Sequence, residues 1–537
     1  MKDKLGSKLG EGTYGIVYDM KSDIKGDDTT YALKRNIAEN ESSFISAIRE
    51  LNILHLLKSH PNIVKLEGLI FEDNKESNGF SPLLGEDRDQ QRNDNVHFMF
   101  DKGLYDLHDY IYNEDIKENY KNVKKYMLDC LLALEYMHHN NIIHRDLKPG
   151  NVLIYDNHKA KLCDFGFSKP FTKQGEQTPG IITVCYRAPE LLLNIPHYDF
   201  KVDIWSMGCL FYELVTKQQL VEEIEDNNEK LLKNVLRVLP VSLTKQEFTN
   251  WISNNTTKLF RVRYQNHANT LEDFKRDMHI TKSNLRLFEK NCGSMNEFCH
   301  LLTMMLKFNP RYRYSATECI DHPFFQEYDE YITTLRTHIV PVEKHKIVYP
   351  VCVERKWMAQ ITQCLISNKD KLEWYNPRCL FQAIDMFHRY LYTMHYHANN
   401  KTETETQGKV HNEFQTNLLF MACIYISIKY FSTIHYSIPF SDLVQEEFLT
   451  PECLQMVEAF EGGLIKNCFK YDIYHDTLYE AADCCGDTLT DQEITNLIYL
   501  FTHNDTISDQ LPEDVYKYYK PHLTTEDQSI LLQPYQI

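Results

Sequence analysis

Along the first hundred residues apolar side chains come in short runs such as Gly15-Ile16-Val17-Tyr18, Tyr31-Ala32-Leu33-Lys34 and Val96-His97-Phe98-Met99-Phe100. Runs of this length with polar residues between them predict strands. One helical segment, Ser43 to Lys58, interrupts them. Between Phe71 and Asn95 the chain is rich in Asp, Asn, Ser, Gly and Gln and reads as a solvated insertion in a strand connection. From Asn122 to about Phe325 the pattern is mostly helical, and from Val353 to about Lys470 it is helical throughout. The expectation is a small β-rich lobe, a larger helical lobe and a separate helical domain, an α+β unit followed by an all-α one.

The last domain carries the clearest helical periodicity. Val353, Trp357, Ile361 and Leu365 recur at i+4. Asn376-Pro377, a cap and a first-position proline, precedes Leu380, Ile384, Phe387 and Leu391. Leu418 to Tyr430 is apolar all round and must be surrounded by other helices. Thr450-Pro451 opens another helix, with Leu454, Val457, Leu464, Ile465 and Cys468 on its buried side. After Asp472 many acidic and polar residues suggest a partial cap or a tail.

Composition narrows the functional classes. The 537 residues are 43% hydrophobic and 25% charged, which excludes collagen-like and wholly disordered chains. A net charge of -18 argues against non-specific nucleic-acid binding, which needs a basic surface. The longest apolar run, Leu418 to Ile428, stops at Lys429, short of the roughly 20 residues that span a bilayer. Only nine residues precede Gly10, which leaves no room for a signal peptide. The 15 cysteines lack metal-ligand spacing and read as reduced thiols, the vicinal Cys484-Cys485 being either redox-active or ordinary. These features predict an intracellular protein of the cytoplasm, the nucleus or both, with no membrane or direct nucleic-acid partner.

Candidate chemistry follows from motif order. Gly10-Glu11-Gly12-Thr13-Tyr14-Gly15 before Val17 is a glycine loop between two strands, where missing side chains let backbone N–H groups approach phosphates. Alone it also fits a dinucleotide-binding turn. Lys34 can neutralise phosphates, and Glu50 on the next helix can fix that lysine as an ion pair. His144-Arg145-Asp146-Leu147-Lys148-Pro149-Gly150-Asn151, Asp164-Phe165-Gly166 and Ala188-Pro189-Glu190 then follow at loop-sized gaps.

This series resembles the eukaryotic protein kinases over residues 1 to 326, with an N-lobe at 1–102 and a C-lobe at 103–326. The resemblance implies ATP and Mg²⁺ as cofactors. Asp146 would accept the proton of the attacking hydroxyl, Lys148 would steady the phosphoryl group, and Asn151 and Asp164 would hold Mg²⁺. Val17, Ala32 and Leu153 would sandwich the adenine, with Phe100 behind it and the Asp101 to Gly103 backbone bonding the base. Asp203 would brace the catalytic loop, and Glu190 would pair with Arg313.

The stretch Phe44-Ile45-Ser46-Ala47-Ile48-Arg49-Glu50 resembles the PSTAIRE helix of cyclin-dependent kinases, the surface a cyclin grips. Thr13 and Tyr14 match that family's inhibitory phosphorylation sites, though they equally suit the loop by themselves. Thr178 matches its activating phosphothreonine, with Arg49, Arg145 and Lys169 as cationic partners, Lys169 replacing the usual arginine. Thr183 would bridge Asp146 and Lys148. Ile181, Ile182 and Arg187 would form a pocket for proline after the phosphoacceptor, so protein substrates with Ser/Thr-Pro sites are expected. Cys185 stands where the family has tryptophan.

Residues 350–475 resemble the cyclin box, with Lys429 and Glu461 matching the pair that holds the kinase helix at Ile48. Val351 and Lys356 depart from its first-helix pattern. Residues 327–349 would be a linker and 476–537 an extension. About 24 linker residues span roughly 27 Å r.m.s. if flexible and about 80 Å at most, enough for docking in cis. The resemblance implies a serine/threonine kinase activated by its own cyclin-like domain, with an upstream kinase as further partner. Two alternatives stay open: an inactive scaffold that sequesters a host cyclin or kinase, and a mitogen-activated type, although Thr178-Pro179-Gly180 lacks a Thr-x-Tyr motif.

Overall fold

Pleated runs in which side chains alternate between two faces build the N-terminal lobe. In the computed structural model, strands β1 (Leu5–Gly12), β2 (Gly15–Lys21), β3 (Thr30–Asn36), β4 (Leu66–Glu72) and β5 (Asn95–Asp101) form one sheet in the order β1-β2-β3-β5-β4. All its pairings are antiparallel. The structure describes residues 5–12, 15–21, 29–36, 47, 50–54, 56–57, 60–72, 95–113, 120–171, 183–195, 198–222, 227–239, 271–338, 362, 366, 376–399, 413–431, 477–478, 481–482, 489–503, 510 and 512–524. The expected insertion is narrower than its polar composition indicated, because β4 and β5 stay paired as far as Glu72 and Asn95. Central β3 is buried on both faces, with Leu33 on one and Ala32 and Lys34 on the other.

Below the sheet the chain is largely helical. Helix α1 (Leu107–Tyr112) starts where the Asp106 carboxylate accepts the Asp109 N–H at 2.8 Å. Helices α2 (Val123–His139) and α3 (Lys201–Thr216) are buried along almost their whole length and form the centre of this lobe. Gly208 permits close approach within it, since a Cβ there would lie 2.9 Å from Leu306. Small strand pairs, β10 (Lys169–Pro170) on β7 (Ile142–Ile143) and β6 (Tyr105–Asp106) with β8 (Val152–Ile154) and β9 (Ala160–Leu162), frame the loops between. Helix α4 (Asn228–Val238) is capped by Asn227.

The chain divides into two units, the second continuing from Glu343 to Ile537. Part of the expected linker is ordered in the first. Helix α5 (Asp329–His338) is strapped to α2, with Tyr331 donating to Asp129 at 3.1 Å and Arg336 donating to both oxygens of Glu135 at 2.9 and 2.6 Å.

In the second unit, helix α6 (Pro377–Asn399) begins at Asn376, whose side chain accepts the Arg378 N–H at 2.9 Å. Helix α7 (Glu413–Phe431) buries Leu419, Phe420, Ala422, Cys423, Ile424, Ile426 and Ile428. The segment expected to be a cap or tail contains two packed helices, α8 (Asp491–His503) and α9 (Pro512–Tyr519). Phe501 of α8 stacks on Phe381 at 6.0 Å and meets His388 at 5.5 Å. The Asn496 amide donates to the Leu523 carbonyl at 2.7 Å, fastening α8 to the turn after α9. Among the described residues no helix is long and apolar enough to cross a membrane.

Candidate active site

The glycine loop is the turn of the β1–β2 hairpin. Gly10 pairs with Val17 and Gly12 with Gly15, and Thr13 and Tyr14 between them lie outside the described residues. Among the described residues a Cβ on Gly10 would meet nothing within 4 Å, which leaves its backbone open to a ligand. Beneath it β2 and β3 place Val17 opposite Lys34, and β3 and β5 place Ala32 opposite Phe100.

Lys34 is the most heavily paired cation of the cleft. Its Nζ donates to both Glu50 oxygens at 2.8 Å and to Asp164 Oδ1 at 2.9 Å. Burial works against its charge, but the two carboxylates outweigh burial and hold its pKa above the ordinary lysine value. Burial likewise pushes Asp164 upward, and Lys34 overcomes it, leaving that carboxyl below the usual range and ionised. Asp164 sits in the left-handed region at φ 61, a conformation held in place by such bonds.

A second cluster surrounds Asp146, which is 1% exposed. The Thr183 hydroxyl donates to its Oδ1 at 2.6 Å, and Lys148 donates to its Oδ2 at 2.8 Å. Lys148 also reaches Thr183 Oγ1 at 3.4 Å, so these three side chains meet. The Asn151 amide donates to the Asp146 carbonyl at 2.7 Å and to Oδ2 at 2.9 Å. That spends its nitrogen and leaves its amide oxygen as a hard donor. The Cys163 N–H, next to Asp164, donates to the Asn151 carbonyl at 3.0 Å and ties the two oxygen-bearing side chains to one framework. Amide and carboxylate oxygens suit Mg²⁺, and the open glycine loop suits phosphates, so the residues present fit both groups.

The loop carrying Asp146 is braced from α3. Asp203 Oδ2 accepts the His144 N–H at 2.8 Å and Oδ1 the Arg145 N–H at 2.9 Å. His138, at the end of α2, meets Asp203 Oδ2 at 3.0 Å, a partner the sequence reading missed because a histidine in a last helical turn carries no separate signal. Burial opposes ionisation of Asp203, but His138 and the backbone N–H groups hold its carboxyl below the ordinary value. Burial lowers the His144 pKa and keeps it neutral, its Nδ1 accepting the Asp146 N–H at 3.3 Å and its Nε2 facing the Cys163 carbonyl at 3.2 Å.

Other expected residues are placed as follows. Arg145 has φ 68, donates from Nε to the Phe167 carbonyl at 2.7 Å, and has a buried Nη1 with no hydrogen-bond partner among the described residues. Lys169 lies in β10 opposite Ile143. Asp101 is more engaged than expected: its N–H donates to the Lys65 carbonyl at 3.1 Å, its carbonyl accepts the Tyr155 hydroxyl at 3.1 Å, and its side chain takes the Lys65 N–H at 2.7 Å and the Lys161 ammonium. Gly103 lies close against Leu153, whose Cβ would be 3.1 Å from a Cβ there, so a larger residue would make Leu153 shift by a few tenths of an ångström. Glu190 and Arg313 form a bidentate pair at 2.7 and 3.0 Å. Arg187 donates to Asn228 Oδ1 of α4 at 2.9 Å, and Cys185 is buried with its sulfur 3.7 Å from Gln219 Oε1. Ile48, Arg49, Thr178, Ile181, Ile182, Val351, Lys356, Glu461 and the Lys429 side chain lie outside the described residues.

Comparison with known proteins agrees with this geometry. The model of the protein kinase domain matches residues 4–325. Mitogen-activated protein kinase 2 of Arabidopsis thaliana is 30% identical over 318 residues, covering 59% of this chain and 75% of that relative. With a five-stranded lobe over a helical one and a paired lysine, a braced aspartate and two further oxygen donors in the cleft, the chain belongs to the protein kinase family.

Proposed function

We propose that the chain is an ATP-dependent serine/threonine kinase of cyclin-dependent type, directed to Ser/Thr-Pro sites and activated in cis by its own cyclin-like domain. The observation that carries this reading is the joined pair of clusters: Lys34 bonded to Glu50 and Asp164, and Asp146 bonded to Lys148 and Thr183. The first requires the Glu50 helix to sit inward, the position that a domain gripping Ile48 stabilises.

In this reading Asp146 takes the proton of the substrate hydroxyl, while Lys148 and Lys34 neutralise charge as it shifts between oxygens. Asn151 and Asp164 would hold Mg²⁺, which screens the phosphate charge when bound. Val17, Ala32, Leu153 and Phe100 enclose the base. A phosphate on Thr178 would join Arg49, Arg145 and Lys169, and the Arg145 Nη1, which has no partner among the described residues, supports that arrangement. The bundle of α6 and α7, with its Asn376 cap and buried α7, supports the cyclin-like assignment. The intracellular setting follows the same reading.

The 30% identity to a mitogen-activated kinase favours a second reading, a proline-directed kinase of that type without a cyclin partner. One assay separates them. The intact chain with ATP and Mg²⁺ should phosphorylate Ser-Pro peptides well and Ser-Ala peptides poorly, lose activity in Asp164→Asn, and need residues 343–537 for full turnover. Equal rates on the two peptides refute proline direction, and independence from residues 343–537 refutes activation in cis.

A further inference from the structure

Away from the groups around Lys34 and Asp146, one buried carboxylate carries two phenols. Glu213 of α3 is 1% exposed and accepts the Tyr186 hydroxyl on Oε2 and the Tyr112 hydroxyl on Oε1, each at 2.6 Å. A carboxylate taken out of water needs such bonds to replace its hydration. Tyr186 is itself buried and closes the single 3₁₀ turn Val184–Tyr186, whose N-cap is Thr183, the residue bonded to Asp146. Its carbonyl accepts the Ser206 hydroxyl at 2.8 Å, and the next residue, Arg187, is held by Asn228. Bonds of this segment thus lead on one side to Asp146 and Lys148, through Thr183, and on the other to α3 and α4, through Tyr186 and Arg187.

Tyr112 differs from Tyr186 in one respect. Its side chain is 44% exposed, so burial of the ring does not account for its position, whereas its hydroxyl is turned inward onto Glu213. It is the last residue of α1, whose N-cap Asp106 follows the Asp101–Gly103 stretch closely in the chain. The same end of α1 is fastened to the end of α3 a second time, where Lys217 lies 4.3 Å above the Tyr110 ring and donates to the Tyr110 carbonyl at 3.2 Å. Glu213 thus joins α1, α3 and the Thr183–Arg187 segment through one group.

We infer that Tyr112 is a positioning residue that acts through Glu213 to hold the Thr183–Arg187 segment ready for a protein substrate, an inference that rests on the reading of the chain as a protein kinase. Without the Tyr112 hydroxyl, Oε1 loses its partner inside the protein. The carboxylate then turns toward Tyr186 or draws in water, and the orientation of Tyr186 is no longer set from both sides. The nucleotide groups lie outside this network, so ATP handling should not change.

The test is Tyr112→Phe in the full chain, a change at a half-exposed ring that keeps the fold. Hydrogen exchange is followed at the Tyr186 and Arg187 amides, which donate to the Thr183 and Val184 carbonyls at 3.0 and 3.3 Å. Exchange there should rise about tenfold, the scale of one hydrogen bond to a charged group, while the amides of α2 stay unchanged. The KM for a Ser-Pro peptide should rise by a similar factor with the KM for ATP held. In a Glu213→Gln background Tyr112→Phe should add little, because the charged partner is already gone. Unchanged exchange at both amides overturns the inference, as does a parallel rise in the KM for ATP. A wild-type chain that transfers no phosphate sinks the functional reading instead, and exchange at Tyr186 and Arg187 still decides this one.

Discussion

Asp203→Asn keeps the size of a side chain that is 0% exposed and removes one acceptor from the loop that presents Asp146. The two carboxylate oxygens now serve the Arg145 N–H at 2.9 Å and the His144 N–H at 2.8 Å. An amide has one oxygen, so whichever way it turns, one of these buried donors faces an NH₂ group. An orphaned buried N–H costs about 1–3 kcal/mol, and a donor facing a donor adds to it. Arg145 stands at φ 68, a region that costs roughly 1–3 kcal/mol unless the surroundings enforce it, so some strain is relieved by moving the loop. A net loss of about 2–4 kcal/mol follows, which lowers Tm by roughly 3–6 °C for a domain of this size. Asp146 is the next residue, and a displacement near 1 Å at a reacting group costs about a hundredfold in rate. Thermal melting of the intact chain and kcat at saturating ATP measure both effects. A Tm within about 1 °C of the parent together with undiminished kcat would refute the bracing argument, since that combination requires another acceptor for both N–H groups.

Three further outcomes are expected. Lys34→Met and Asp146→Asn should each abolish phosphotransfer with little loss of fold, because these side chains act on the nucleotide and the hydroxyl; more than a few per cent of activity in both contradicts the assigned chemistry. Acid should destabilise the kinase unit through His60 and His322. Burial lowers their pKa values to about 3 and about 4, and the Nδ1 of each accepts a backbone N–H that a second proton would displace. Both are neutral in the folded state, while the unfolded chain binds their protons below about pH 6.5, so stability is complete above that pH and falls as pH drops toward 4, His60 contributing about 1.4 kcal/mol per pH unit. A flat Tm between pH 7 and pH 5 contradicts this. Finally, a chain ending at Val342 should fold and turn over slowly. One ending at Glu330 should also melt lower, having lost the bonds from Tyr331 to Asp129 and from Arg336 to Glu135. Equal melting of the two truncations removes the strap from the account.

The amino-acid sequence by itself was enough for several of the described elements. Asn376-Pro377 marks the start of α6 because a cap and a first-position proline act within one turn, and the all-round apolar stretch of α7 can only be buried. The order of the motifs from Gly10 to Glu190 likewise survives as the order of elements around the cleft. At the C-terminus composition left a partial cap and a tail both open, and the apolar stripes of α8 and α9, which bury Leu497, Phe501, Tyr516 and Tyr519, agree with a cap. Some meetings, such as Lys34 with Glu50 and Glu190 with Arg313, were expected from the motifs and the resemblance they carry, but others came only from the tertiary structure. Lys34 and Asp164 are 130 residues apart, Tyr112 and Glu213 101, and Arg336 and Glu135 201. Periodicity records which face of a helix or strand is apolar, but it holds no information on the register in which one element packs against another. That register is set by how side chains of distant segments fill a shared core, and it alone places the Tyr112 hydroxyl on Glu213 and the His138 ring on Asp203.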